Sequence, residues 1–220
     1  MKVEEAFRFP FQDKGLERLL IGGLVTIIPI VNIASAGYFV EVMERINNGN
    51  YEMPSWSGFG GKFLKGLGNL VIALFYGFIP LLIVAAGAAG SYRLSGNGML
   101  LPVFGGLVST IGFLLLLAAW FIIPMSVARY ASTGLLGEGF RVSRVLQYIR
   151  AVLGQYAGVC LLSIVLYFVA SLVSGIIPIL GFIISAFLTF YVMVVTGFLF
   201  GEAHREAESV LSTGVGSIVK

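Results

Sequence analysis

The chain has 220 residues, of which 58% are hydrophobic and only 11% charged, with a net charge of +3 at pH 7 and a mean hydropathy of +0.96. Soluble chains average about 45–50% apolar and about 25% charged residues, and a core of this size cannot hide the surplus from water. An ordinary water-soluble domain is excluded, the bilayer is the solvent the composition demands, and the shortage of polar side chains leaves few candidates for catalysis.

The first 18 residues do not read as a cleavable signal, because Glu4, Glu5, Asp13 and Glu17 interrupt the basic region such a signal needs. They are expected at the membrane interface, with Phe7, Phe9 and Phe11 as aromatic anchors. Four windows beyond them carry no charge: 19–40, 66–92, 94–128 and 151–201. A spanning helix takes about 20 mainly apolar residues, so the second and third windows predict one span each, at 66–92 and 99–130. The fourth must hold two, and Ser174-Gly175-Ile176-Ile177-Pro178-Ile179 supplies the break. A helical hairpin over 153–203 follows, with legs near 153–175 and 179–203.

The first window carries the same tetrapeptide, Ile27-Ile28-Pro29-Ile30, which hints at a repeated helix-turn-helix unit. Pro29 marks either a kink in one span or the tip of a short hairpin over 19–47. Cytoplasmic loops hold the excess of Lys and Arg, and the most basic loop, with Arg129, Arg141, Arg144 and Arg150 against Glu138, is assigned to that side. A single span then leaves 5 basic residues outside and 9 inside, whereas a hairpin leaves 1 outside and 13 inside. Charge favours the hairpin; length opposes it, since a leg such as 15–28 reaches only about 21 Å of a roughly 30 Å hydrocarbon core. A helix starting back at Pro10, or a re-entrant pair enclosed by protein, relieves that conflict. The fold class expected is an all-α, polytopic membrane bundle. It has about six membrane-embedded helices, the first two a Pro-tipped hairpin, and both termini cytoplasmic in the plasma membrane. Five spans with an external N-terminus is the alternative.

Residues 48–65 form a turn-rich cytoplasmic loop containing Trp56, and within it Gly58 to Gly66 suits a short segment at headgroup level, with Lys62 and Lys65 as headgroup contacts. The basic amphipathic segment 138–152 is expected to turn Phe140, Val145, Leu146 and Ile149 to the bilayer and Arg141, Arg144 and Arg150 to anionic lipid headgroups. Residues 204–220 read as a cytoplasmic tail. Two phrases, LLIGGLVTIIPIVNIASAGYFVEVMERINNG (19–49) and MPSWSGFGGKFLKGL (53–67), with ARYA at 128–131, are more distinctive than composition. They resemble a family of small polytopic prokaryotic membrane proteins classified only as a domain of unknown function. That resemblance implies several membrane helices and brings no catalytic residues with it.

Candidates for chemistry are few. Glu41 and Arg45 have the i,i+4 spacing of a helix-surface ion pair, and Glu41, nearest the first apolar window, is the one acid placed to gate a cavity or hold a cation. Asn32 is the polar side chain at the Pro29 tip and reads as a turn cap or a small polar site. His204 and Glu208 are i,i+4, but a metal site needs three or four ligands and nothing completes this one, so a solvated helix end is expected. Cys160 is alone within a span and reads as a small hydrophobe. Arg93 and Arg129 read as snorkelling residues at span ends.

Acids and bases are absent from the interiors of the last four spans, which argues against ion-coupled transport, and there is no nucleophile–base set, zinc motif or phosphate loop. No cofactor, metal or nucleic-acid partner is expected. Gly154-x-x-x-Gly158 and Gly197-x-x-x-Gly201 have the spacing of close helix packing, within the chain or in a homo-oligomer. The expected role is a non-enzymatic scaffold that binds lipid or a membrane-protein partner; a passive channel or facilitator for a small neutral or amphipathic substrate is the alternative.

Overall fold

A computed structural model describes residues 2–93, 100–175 and 178–216, which fall into two compact units: 1–70 with 125–216, and 71–124. The elements among the described residues are helices, with no strand. Four helices are long and apolar enough to cross a membrane: Phe59–Ser91, Val103–Thr133, Leu153–Ser174 and Gly181–Thr213.

In the larger unit the chain opens with α1 (Val3–Arg8) and a 3-10 turn at Phe9–Phe11. Pro10 thus sits in that turn, and α2 (Gly15–Ile27) begins only after Asp13, whose φ of 45° breaks the helix. Phe9, expected at the membrane interface, is fully buried against Phe198 at 5.1 Å, while Phe11 stays exposed. α2 ends where it must: Ile28 precedes Pro29 and is forced to extended geometry (φ −86°, ψ 115°). Ile30 then takes φ 70°, costly for a β-branched residue, before α3 (Ile33–Asn47) begins. A hydrogen bond between the Thr26 and Ser35 hydroxyls (3.0 Å) ties the two arms near the turn.

Both arms pack on α9 (Pro178–Gly216), the helix against which α1, α2, α3, α7 (Val142–Ala151) and α8 (Leu153–Gly175) all rest. Half of the apolar window of α9 is buried inside the protein, against 11–22% for the other three long helices. Small residues permit this. Gly22 and Gly23 of α2 leave room for the rings of Phe190 and Phe187, and Gly197 and Gly201 of α9 receive Phe39 and Ile46 of α3. The Gly197-x-x-x-Gly201 face is therefore filled within the chain, whereas Gly154 faces open space. The outward stripe of α2, at Leu16, Leu20 and Leu24, is exposed.

Several boundaries differ from expectation. α4 (Phe59–Arg93) absorbs the segment read as a separate headgroup-level piece, because nothing after Gly58 breaks the helix and Gly66 packs against α3. α5 (Leu100–Thr133) runs three residues past the expected span. The basic segment is two helices, α6 (Leu136–Gly139) and α7, and α7 turns Val145 and Ile149 into the protein instead of the bilayer. α9 continues as helix to Gly216, so the expected tail is helical there. The legs of the last hairpin match α8 and the first part of α9. Its turn at 176–177, the loop after Arg93, and residues 217–220 lie outside the described residues.

The smaller unit, 71–124, is the remainder of α4 with the start of α5. Gly87 and Gly105 meet the opposing backbone, the Ser109 hydroxyl donates to the Val84 carbonyl at 3.0 Å, and large apolar side chains such as Ile79 and Phe104 face outward.

Gly37 of α3 and Gly66 of α4 approach so closely that a Cβ on either would overlap a carbonyl of the other helix, Lys62 or Ile33 respectively. Gly37→Ala is expected to destabilise the protein by about 3 kcal/mol, the upper end for overpacking, because backbone cannot step aside. Gly77→Ala in α4, where an added Cβ meets nothing within 4 Å, should be neutral or stabilising by up to about 1 kcal/mol. Thermal unfolding of both variants in mild detergent separates the two outcomes.

Candidate functional site

The polar side chains of the larger unit gather into three clusters. The first follows from the glycine contact of α3 with α4. It sets Lys62 beside Glu41, Nζ donating to Oε2, and Lys65 beside Glu44 in the same way. Arg45 reaches Glu41 at 3.9 Å, as the i,i+4 spacing predicts, but Lys62 is the nearer partner. Lys62 is 2% exposed; it is not a headgroup contact but a buried counter-charge, and Lys65 is half-spent on Glu44. A cavity of about 90 Å³ opens beside this pair, lined by Val40, Glu44, Lys65, Tyr130, Ala131 and Gly134. Tyr130 packs across Gly68. Asn32 lies apart from all of this; it is exposed and its side chain makes no capping bond.

The second cluster centres on Tyr51, which sequence reasoning passed over. Its hydroxyl donates to Glu202 at 2.6 Å and accepts from Lys2 at 2.9 Å and Arg205 at 2.5 Å, tying the N-terminus and the loop after α3 to α9. The Tyr51 bond and the neighbouring Glu202 and Glu5 carboxylates raise the Lys2 ammonium pKa. Nearby, Trp56 donates to the Arg18 carbonyl (2.9 Å) and stacks on Tyr38 (4.8 Å), so this Trp is bound to protein.

The third cluster surrounds Glu138. Arg129 donates to it at 2.5 Å, Arg141 at 2.5 Å, and Arg144 approaches to 3.7 Å. Arg129, expected to snorkel, is 4% exposed; its guanidinium lies 4.4 Å over the Tyr148 ring, and Tyr148 stacks on His204 at 4.9 Å. His204 is fully buried, not a solvated helix end, because α9 runs on beneath α7. Its two ring nitrogens, Arg129 Nε and Asn47 Oδ1 are the buried side-chain polar atoms without a partner among the described residues. Arg141 and Arg144 remain more than half exposed, and Arg150 is exposed with no ion pair among the described residues. Cys160 is buried. No group of three or more metal-ligating side chains occurs among the described residues.

Glu138 was the legible signal here, as the single acid in the most basic loop. Arg129 was not, since nothing in sequence separates a snorkelling arginine from one folded back across the Gly134 turn (φ 68°). The Arg129 bond, with Arg141 and Arg144 adding, holds the Glu138 carboxyl below the usual carboxylate range.

With the geometry in place, comparison with known proteins adds one match. A family described as "Protein of unknown function (DUF4013)" matches residues 20–179. The chain belongs to this DUF4013 family. No curated protein and no solved structure matches it. The DUF4013 region includes Glu41, Glu44, Lys62, Lys65 and the whole Glu138 cluster except His204, and ends as α9 begins.

Removing one partner of a buried ion pair strands the other charge. Lys62→Met is expected to cost about 3 kcal/mol, with much of the loss recovered in the Lys62→Met, Glu41→Gln double variant, as equilibrium unfolding in detergent would show. Glu138, whose folded pKa is lowered, stabilises the protein fully above the unfolded value of about 4.3, and that contribution disappears as pH falls through the lower folded value. An acid titration followed by Trp fluorescence should show wild type losing its advantage over Glu138→Gln in that window and not at neutral pH.

Proposed function

We propose that this membrane protein is a non-enzymatic scaffold, inserted in the plasma membrane with both termini cytoplasmic. One observation carries the reading: the acids of α3 and the acid of α6 are each engaged by a cation of α4 or α5, as Glu41–Lys62, Glu44–Lys65 and Glu138–Arg129. Residues so engaged brace a surface; they are not held ready to transfer protons or to pass a substrate. On this reading the four long helices span, and α2 and α3 enter from the cytoplasmic side without crossing. Their 13 and 15 residues reach only about 20–22 Å. Arg18 and Glu41 mark their polar ends, and the apolar residues Ile28 and Ile30 are exposed at the tip. The braced collar then offers a rigid cytoplasmic face to lipid headgroups and to a membrane-protein partner.

Two measurements test this. In reconstituted vesicles, glycerol and urea should leak no faster than through protein-free vesicles; saturable flux would replace the scaffold with a facilitator. A Glu4→Cys variant in a Cys160→Ala background should react with an impermeant maleimide only from the cytoplasmic side, and labelling from outside would restore the five-span topology.

A further inference from the structure

Around Glu138 the charges do not balance. Arg129, Arg141 and Arg144 converge on one carboxylate, and among the described residues no other acid pairs with any of them. Arg129 is buried and spends its Nη2 on Glu138, while Arg141 and Arg144 are 55% and 56% exposed, with guanidinium donors to spare. The field grows further because α7 begins at Val142 without a side-chain cap, so the positive end of its dipole adds to the charge of Arg141 and Arg144. Like charges gathered this closely repel unless a second anion joins them. In the chain the cluster lies between the charge-free windows 94–128 and 151–201, and the placement proposed above sets it at the membrane surface.

We propose that Arg141 and Arg144, held in place by Glu138 and Arg129, bind a phosphate ester at the start of α7. Guanidinium forks match phosphate oxygens in pairs, and the Glu138 carboxylate acts as the internal placeholder that keeps both arginines extended toward the site. The proposal rests on the cytoplasmic, membrane-surface placement made above. The phosphate belongs either to a phospholipid headgroup or to a soluble molecule, and the chemistry of recognition is shared.

The test uses the full chain in mild detergent, titrated with phosphatidylglycerol or phosphatidylcholine and read by native mass spectrometry. Phosphatidylglycerol should be retained preferentially, with Arg141→Ala and Arg144→Ala each weakening it about tenfold, the loss of one charge-assisted hydrogen bond. Arg150→Ala removes the same charge from the same helix and should leave retention unchanged. Arg141→Lys keeps the charge and the fold and should recover only part of the affinity. If millimolar inorganic phosphate displaces the lipid with the same variant dependence, the site is real and its ligand is soluble. Equal losses in all three arginine variants, or no preference between the lipids and no phosphate binding, would overturn the proposal. Vesicle flux decides the scaffold reading separately: flux with an intact lipid preference removes that reading and leaves the site standing.

Discussion

The close approach of Gly37 and Gly66 is the contact on which the polar architecture depends. With no side chain at either position, the backbones of α3 and α4 touch, and one turn along each helix the register brings Lys62 to Glu41. Any larger residue would push the two backbones apart and loosen the fit that buries Lys62 against Glu41. Burying an ion pair yields little net stability, so its value lies in permitting one register and penalising others. A protein with so few charges has used them to specify how its helices meet.

The membrane character was legible from the positions of charge alone, because four apolar windows of sufficient length leave few alternatives. The α2–turn–α3 arrangement was half legible: Pro29 announces a break, and only the structure supplies the left-handed Ile30 and the seating of both arms on α9. What could not be read was tertiary choice. Lys62 and Lys65 look like headgroup anchors until α4 is seen to begin at Phe59, which turns them toward α3. His204 looks solvated in a run of charges until α7 covers it. Each misreading assigned to lipid or water a side chain that another helix claims, and periodicity within one segment carries no information about that competition.

The central position of α9 also explains how glycine is distributed. Gly197 and Gly201 admit α3, and Gly22 and Gly23 let α2 settle over the rings of Phe187 and Phe190, so spacing that resembles an oligomer motif is satisfied inside one chain. Gly154, by contrast, meets nothing. The same short spacing is thus filled by α3 at Gly197 and Gly201 and left open at Gly154.

The seating of α2 and α3 on α9 has a consequence in time. A ribosome delivers α2 and α3 before α9, yet the groove that receives them belongs to that later helix. Until α9 is made, Phe9, Val42 and Ile46 lack the α9 partners they pack against in the finished fold. Completion of the core thereby depends on contacts distant in sequence, because Phe9 must meet Phe198, and Gly22 must meet Phe190.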